Sequence, residues 1–218
     1  MVKDNPVYFY GVASSYTKDC AEIADQSKRK ILGYIHNQPT EPVPDGLEPL
    51  FQISDLGHCD RNIPVVIPLI TPNFRKRLKV EVLDHGFRAF ADMLHPSAVI
   101  ARSCRWGPGL SVNAGVVVAA NTHFGEHVLI NRSVSIGHDV EVEDYVSFGP
   151  GAVLGGQIKI GEGAFIGVNA TILPGVVVGP NSIVGGGAVV TKEVPANSVV
   201  VGNPATVIRT GIQGYNSN

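Results

Sequence analysis

The chain has 218 residues, 44% of them apolar and 17% charged, with a formal net charge of −2. That length admits one or two domains with a sizeable core, and the near-neutral balance excludes the basic stripe of a nucleic-acid binder. No apolar run approaches the roughly 18 residues of a membrane span, and the start, Met1–Gly11, lacks the apolar stretch of a secretory signal, so the expected location is the cytoplasm, away from membranes.

Taken in order, residues 1–94 read as a small α/β unit. Val7–Tyr10 is a β-rich run and Thr17–Gln26 has helical composition. Ile31–Ile35 and Val65–Ile67 read as further strands, and Asn73–His85 places Phe74, Leu78 and Val82 at helical spacing. Alternating strands and helices predict a parallel sheet. The stretch Pro39–Pro49 holds four prolines and is expected to be loop. Three cysteines, Cys20, Cys59 and Cys104, are odd in number and widely spaced, which fits neither a disulfide framework nor a zinc site. Cys104 is expected to point inward as a buried thiol. For His36, His58 and His85 a surface position is the default.

From Ile100 the pattern changes. Every sixth residue through Val190 is apolar: Ile100, Trp106, Val112, Val118, Phe124, Ile130, Ile136, Val142, Phe148, Leu154, Ile160, Ile166, Ile172, Val178, Val184 and Val190. Neither a helix nor an alternating strand has that period; a hexapeptide repeat is the signature of a β-helix. The next residue is glycine in nine places, Gly137 and Gly155 among them, which suits a backbone that turns sharply where a side chain would crowd it. Three hexads close one triangular coil, so residues three hexads apart stack. This domain spans 95–195. Residues 196–218 form a tail whose polar end is expected to fray.

Register says which side chains leave the prism. His138 is third in the hexad Ile136–Glu141, a turn position, so its imidazole should project outward. Its stacked neighbours, Ala120 and Gly156, are small and leave room around the ring. Asp139 is adjacent and could orient it, as a carboxylate assists a catalytic histidine. On spacing alone a solvated surface histidine competes with that reading. His123 and His127 fall at other phases, so no metal site is expected. Glu126, Arg132 and Asp144 share the third position on the other two sides and read as charged, solvated turns.

These residues carry a resemblance. His95-Pro96-Ser97-Ala98-Val99-Ile100, Asn131 with His138-Asp139, the run Gly149–Gly156, and Gly202-Asn203-Pro204-Ala205 together resemble the hexapeptide-repeat sugar acetyltransferases. These are related to the sialic acid O-acetyltransferases and the bacterial nucleotide-linked 4-amino-sugar N-acetyltransferases. The match is close over 95–209 and holds only in outline over the first 94 residues. It implies a Rossmann-like α/β unit that holds a sugar nucleotide, followed by a left-handed parallel β-helix, assembled as a homotrimer. Acetyl-CoA would be the acyl donor, lying between adjacent prisms, and no metal would be needed. His138 would be the general base, Asp139 its partner, and Asn131 would face the sugar. Gly156, Val168 and Gly186 would contact coenzyme A through their main chains, with Asn203 and Pro204 in a tail loop over its distal end. Gly11, Ser14 and Ser15, in the first βα turn, would meet the substrate. The implied reaction is N-acetylation of a 4-amino-4,6-dideoxy sugar destined for lipopolysaccharide or another surface polysaccharide. Its alternatives are O-acetylation of a sialic-acid-type sugar and a non-catalytic scaffold.

The chain also departs from that family. Nine residues after His138, where a second histidine is frequent, stands Ser147. The turn Gly11–Tyr16 keeps one glycine, the acidic pair that typically ends the second strand is replaced at Ile35-His36-Asn37, and the third strand ends Leu69-Ile70-Thr71-Pro72-Asn73. Three loops of the presumed nucleotide pocket differ together. Either the carrier is not the usual uridine diphosphate or it is held another way.

Overall fold

The computed structural model describes residues 5–38 and 40–216; Pro39, first of the four loop prolines, and the polar end Ser217–Asn218 lie outside it. The N-terminal unit is a four-stranded sheet, β1 (Val7–Tyr10), β2 (Ile31–His36), β3 (Leu50–Gln52) and β4 (Val65–Val66), in the order β3-β2-β1-β4 and parallel throughout. Helix α1 (Tyr16–Gln26) follows β1 and α2 (Pro72–Asp84) follows β4. Each side chain of β1 is buried, and they alternate between two cores. Val7 and Phe9 join α1, while Tyr8 and Tyr10 join Leu78 and Val82 of α2. Strand β3 and the 3₁₀ turn Ile53–His58, just past the proline-rich stretch, are elements the sequence reading did not contain. Their three-residue strand is too short for a period to register. His36 is buried rather than on the surface, because β2 lies inside the sheet; His58 is exposed.

The prism is a left-handed parallel β-helix of two-residue strands. Its first rung, Met93–Leu94, pairs with Ser111–Val112, and three stacks of strands rise from the first coil. Sixth residues from Val112 to Val190 are buried, and so is the residue two before each, from Leu110 to Ala188. Burying one large aliphatic side chain contributes roughly 1.5–3 kcal/mol, so this ladder is the main source of the domain's cohesion. The two earliest members differ: Ile100 is half-buried and Trp106 is 38% exposed, its indole N–H donating to Asp92 at 2.9 Å. They line the first coil, which has no coil beneath it.

Glycine serves the turn differently from the expectation. Positive φ falls at the fourth residue of each hexad, at every sixth position from Gly109 to Gly187, with Asn121, His127, Asp139 and Tyr145 among them. Glycine at the second residue is required by the next coil: a Cβ on Gly137 would lie 2.5 Å from the Gly155 carbonyl carbon, and one on Gly161 2.5 Å from Pro180 N. It permits close stacking rather than an unusual dihedral.

The three faces are chemically distinct. One (outward residues Ser111, Leu129, Ser147, Phe165) is covered by the α/β unit, and Leu129 enters that unit's core. The next carries Val99, Val117 and Val153, which are 62%, 47% and 44% exposed. On the third, Arg105, His123, Glu141 and Lys159 face water, with Lys159 paired to Glu141 at 3.0 Å. After the last coil, Ser198–Gly202 and Ala205–Thr210 form an antiparallel hairpin that extends the covered face's sheet.

Candidate active site

His138 sits at the corner between the apolar and charged faces, on the turn after Ser135–Ile136. Its Nδ1 lies 2.7 Å from Asp139 Oδ2, and both side chains are well exposed. The other carboxylate oxygen of Asp139 accepts from Asn121 Nδ2 at 3.2 Å. Those two hydrogen bonds, first from His138 and then from Asn121, hold the Asp139 carboxyl below its usual range. With Nδ1 committed to Asp139, Nε2 is the nitrogen left to take a proton. Asn121 lies three hexads before Asp139; the stacking rule applied to His138 would have found it had it been applied to its neighbour. Above the imidazole, Gly156 leaves the ring its present place, since a Cβ there would come within 2.8 Å of it and push it aside.

The expected site residues divide between two corners. His138, Asp139 and Gly156 share one; Asn131, Val168 and Gly186 lie on the corner between the covered and apolar faces. The apolar face separates the two sets, so a single chain does not bring them together. Among the described residues, the backbone N–H groups of Gly156, Val168 and Gly186 find no backbone carbonyl. Such uncommitted donors beside bare backbone suit the carbonyl and amide groups of an acyl-CoA. Asn203 and Pro204 are exposed at the tip of the terminal hairpin. Among the described residues, no group of three His, Cys, Asp or Glu side chains could hold a metal ion.

A cleft of about 660 Å³ opens at the carboxyl ends of β1 and β4, where the strand order reverses, the place where open parallel sheets bind ligands. Gly11 and Ser14 line it; Ser15 is exposed at the N-cap of α1 and does not. Gly11 must be glycine, for its φ is +79° and a Cβ would meet Leu78 Cδ1 at 2.2 Å. The N-terminal end of α1 approaches the cleft through Ser14, just before its N-cap, and that of α2 through its N-cap Thr71 and Phe74. Arg77 stands beside them, its guanidinium 4.6 Å from the Phe74 ring centroid. At the end of β2, where the acidic pair is missing, a carboxylate arrives from α2 instead. Glu81 accepts Tyr10 Oη–H at 2.8 Å and Asn37 Nδ2–H at 3.1 and 3.0 Å.

The corner between the charged and covered faces holds what the sequence reading missed. Arg75 of α2 is buried and makes no ion pair among the described residues. Its guanidinium donates to the carbonyls of Leu69, Ile70, His127, Tyr145 and Val146 and to Ser147 Oγ, at 2.7–3.1 Å. Burial lowers its pKa to about 9, so it stays protonated at neutral pH. Ser147 donates in turn to Ile70 O at 2.6 Å. The residue standing where a second histidine is common thus ties the prism to the cleft wall. His127, expected only to be out of phase for metal binding, is buried between Phe90 and Tyr145; burial and Arg75 lower its pKa to about 4. Glu126 is no solvated turn. Burial raises its pKa, but Lys79 and the Tyr145 hydroxyl outweigh that and hold it below the carboxylate norm. Arg132 behaves as expected, in an exposed pair with Asp19 at 3.3 Å.

The family pattern described as bacterial transferase hexapeptide (six repeats) matches residues 121–156 and 157–192. Among solved structures, a histidine variant of perosamine N-acetyltransferase from Caulobacter crescentus, in complex with CoA and GDP-perosamine, is 28% identical, with a TM-score of 0.84 over 93% of this chain and 96% of that one. The acetyltransferase domain of PglB from Neisseria gonorrhoeae, in complex with acetyl coenzyme A, is 25% identical, with a TM-score of 0.83 over 94% and 100%. This is a hexapeptide-repeat chain built like the sugar acetyltransferases. WeeI from Acinetobacter baumannii matches equally well, at 28% identity and a TM-score of 0.83 over 93% of this chain and 99% of that one. No curated protein matches the chain in sequence. Among the described residues, no helix is long and apolar enough to cross a membrane.

Proposed function

We propose that the protein is an acetyl-CoA-dependent N-acetyltransferase acting on the amino group of a nucleotide-linked amino sugar of the 4-amino-4,6-dideoxy type, with His138 as general base. The observation that carries this reading is the exposed His138 imidazole, tied through Nδ1 to Asp139 and seated against Gly156, in a chain shaped like enzymes solved with CoA and GDP-perosamine. Asp139 fixes the tautomer that leaves Nε2 free. The sugar nitrogen attacks the thioester carbonyl; a C–N bond forms, the C–S bond breaks, and the proton lost by nitrogen passes to Nε2 and on to the departing thiolate. An unprotonated amine is already a competent nucleophile, so positioning supplies much of the rate.

The cleft suits the other end of the substrate. Two helix N-termini and the Arg77 guanidinium favour a diphosphate. A homotrimer would complete the site. The exposed valines of the apolar face would pack against a second copy and bring His138 of one chain toward Asn131, Val168 and the cleft of another. The proposed location is the cytoplasm.

The test is a panel of GDP-, UDP- and dTDP-linked 4-amino sugars assayed with acetyl-CoA for thiol release. Release with one carrier supports the assignment and names the nucleotide. No release with any carrier, joined to no coenzyme A binding at millimolar concentration, would leave a non-catalytic scaffold.

A further inference from the structure

The resemblance to known acetyltransferases puts the C-terminal tail over coenzyme A, but the tail divides here. Its hairpin tip, Asn203-Pro204, stays on the end of the prism, while the residues after Thr210 return to the α/β unit. Three anchors hold that return. Ile212 N–H donates to Asn197 O at 3.0 Å, and Asn73, in the first turn of α2, donates through Nδ2 to Gln213 O at 2.8 Å. The Tyr215 ring then lies on Phe165 of the covered face, centroids 3.8 Å apart and planes within 8°. Gly211 and Gly214, both at positive φ, supply the bends. The outcome is that Tyr215 and Asn216 join Gly11 and Ser14 in lining the cleft.

We infer that the C-terminal segment Gly211–Asn216, through Tyr215, is a wall of the sugar-nucleotide site of its own chain and sets which substrate fits. This rests on the function proposed above. A tyrosine already fixed by stacking offers a flat apolar surface and a hydroxyl to an incoming ring at little further cost in entropy. The cleft lining mixes polar groups, Asn37 after β2 and Glu81 of α2, with the apolar side chains of Leu69, Ile70 and Leu78, and Tyr215 adds a second aromatic ring to that of Phe74. The segment lies far along the chain from the turn Gly11–Tyr16, in which the usual run of glycines is missing. It thereby supplies by closure what a glycine-rich turn supplies by close approach of the backbone.

The experiment uses the full-length protein, a Tyr215→Ala variant, a Tyr215→Phe variant and a deletion of residues 212–218. Steady-state kinetics are run with whichever GDP-, UDP- or dTDP-linked 4-amino sugar the wild type acetylates. Tyr215→Ala and the deletion should raise the KM for the sugar nucleotide about tenfold, the size of one lost aromatic contact. The KM for acetyl-CoA should not move, and Tyr215→Phe should recover most of the affinity. An unchanged sugar-nucleotide KM in both, or a rise confined to acetyl-CoA, would overturn the inference while the enzymatic assignment stands. A wild type that acetylates no member of the panel removes the assignment and the inference together.

Discussion

Two faces of the prism present apolar or small side chains, and the chain treats them differently. Over Ser111, Leu129, Ser147 and Phe165 it lays its own α/β unit, fastened by Tyr16, Arg75 and Tyr215. Over Val99, Val117 and Val153 it lays none of its described residues. The covered face shows how a β-helix that has satisfied its backbone internally attaches a second unit: by burying Leu129 in that unit's core and by side-chain hydrogen bonds along the face and its corners, rather than by new strand pairing. The bare face lies between the two corners that hold His138 and Asn131, so whatever covers it also decides whether those residues meet.

The largest effect expected from disturbing this contrast is on the bare face. Val117→Lys together with Val153→Lys should convert the proposed trimer, three times 23.1 kDa, to a single chain and lower activity at least about a hundredfold, because the site proposed to be shared between copies would be lost. Light scattering and thiol release check both. A wild type that is already monomeric, or a charged variant that remains trimeric and active, would remove the bare face from the mechanism.

Next is the covered face. Arg75→Met removes the donor shared by five carbonyls and Ser147, and should cost about 3 kcal/mol of stability, measured as a fall in the urea midpoint. Equal midpoints would show that the interdomain contact does not depend on this cage.

A smaller, pH-dependent effect belongs to His127 on the same corner. Its folded pKa of about 4 lies below its unfolded value, so the unfolded chain binds more protons in between. The stability it contributes is present above about pH 6.5 and lost as pH falls toward 4, by at most about 3 kcal/mol. His127→Phe keeps the backbone carbonyl that Arg75 uses and should flatten that acid limb. An unchanged limb would place the acid sensitivity elsewhere.

How far each region could be read from residues follows from the same contrast. In the prism each environment recurs every sixth residue, so one period fixed the inward ladder, put His138 outside and stacked Ala120 and Gly156 beside it. It misled only where a coil lacks a neighbour, at Ile100 and Trp106, and in giving glycine's role to the turn rather than to the coil above. In the α/β unit the strands and helices were visible from apolar spacing, but the cleft was not. Glu81 meets Asn37 across 44 residues, Arg75 meets Ser147 across 72, and Tyr215 reaches the cleft from the far end of the chain. No local pattern reports contacts of that separation. The burial of His127 was not legible for the same reason: phase gave its corner, and α2 supplied its burial.

The central claim is that His138, oriented by Asp139, takes the proton. Its most direct test is the pH profile of kcat for His138→Ala with acetyl-CoA and the preferred sugar nucleotide. In that variant kcat should fall about a hundredfold or more at neutral pH, with both KM values retained and partial recovery at high pH, where the amine needs no base. Full activity at neutral pH in that variant would contradict it.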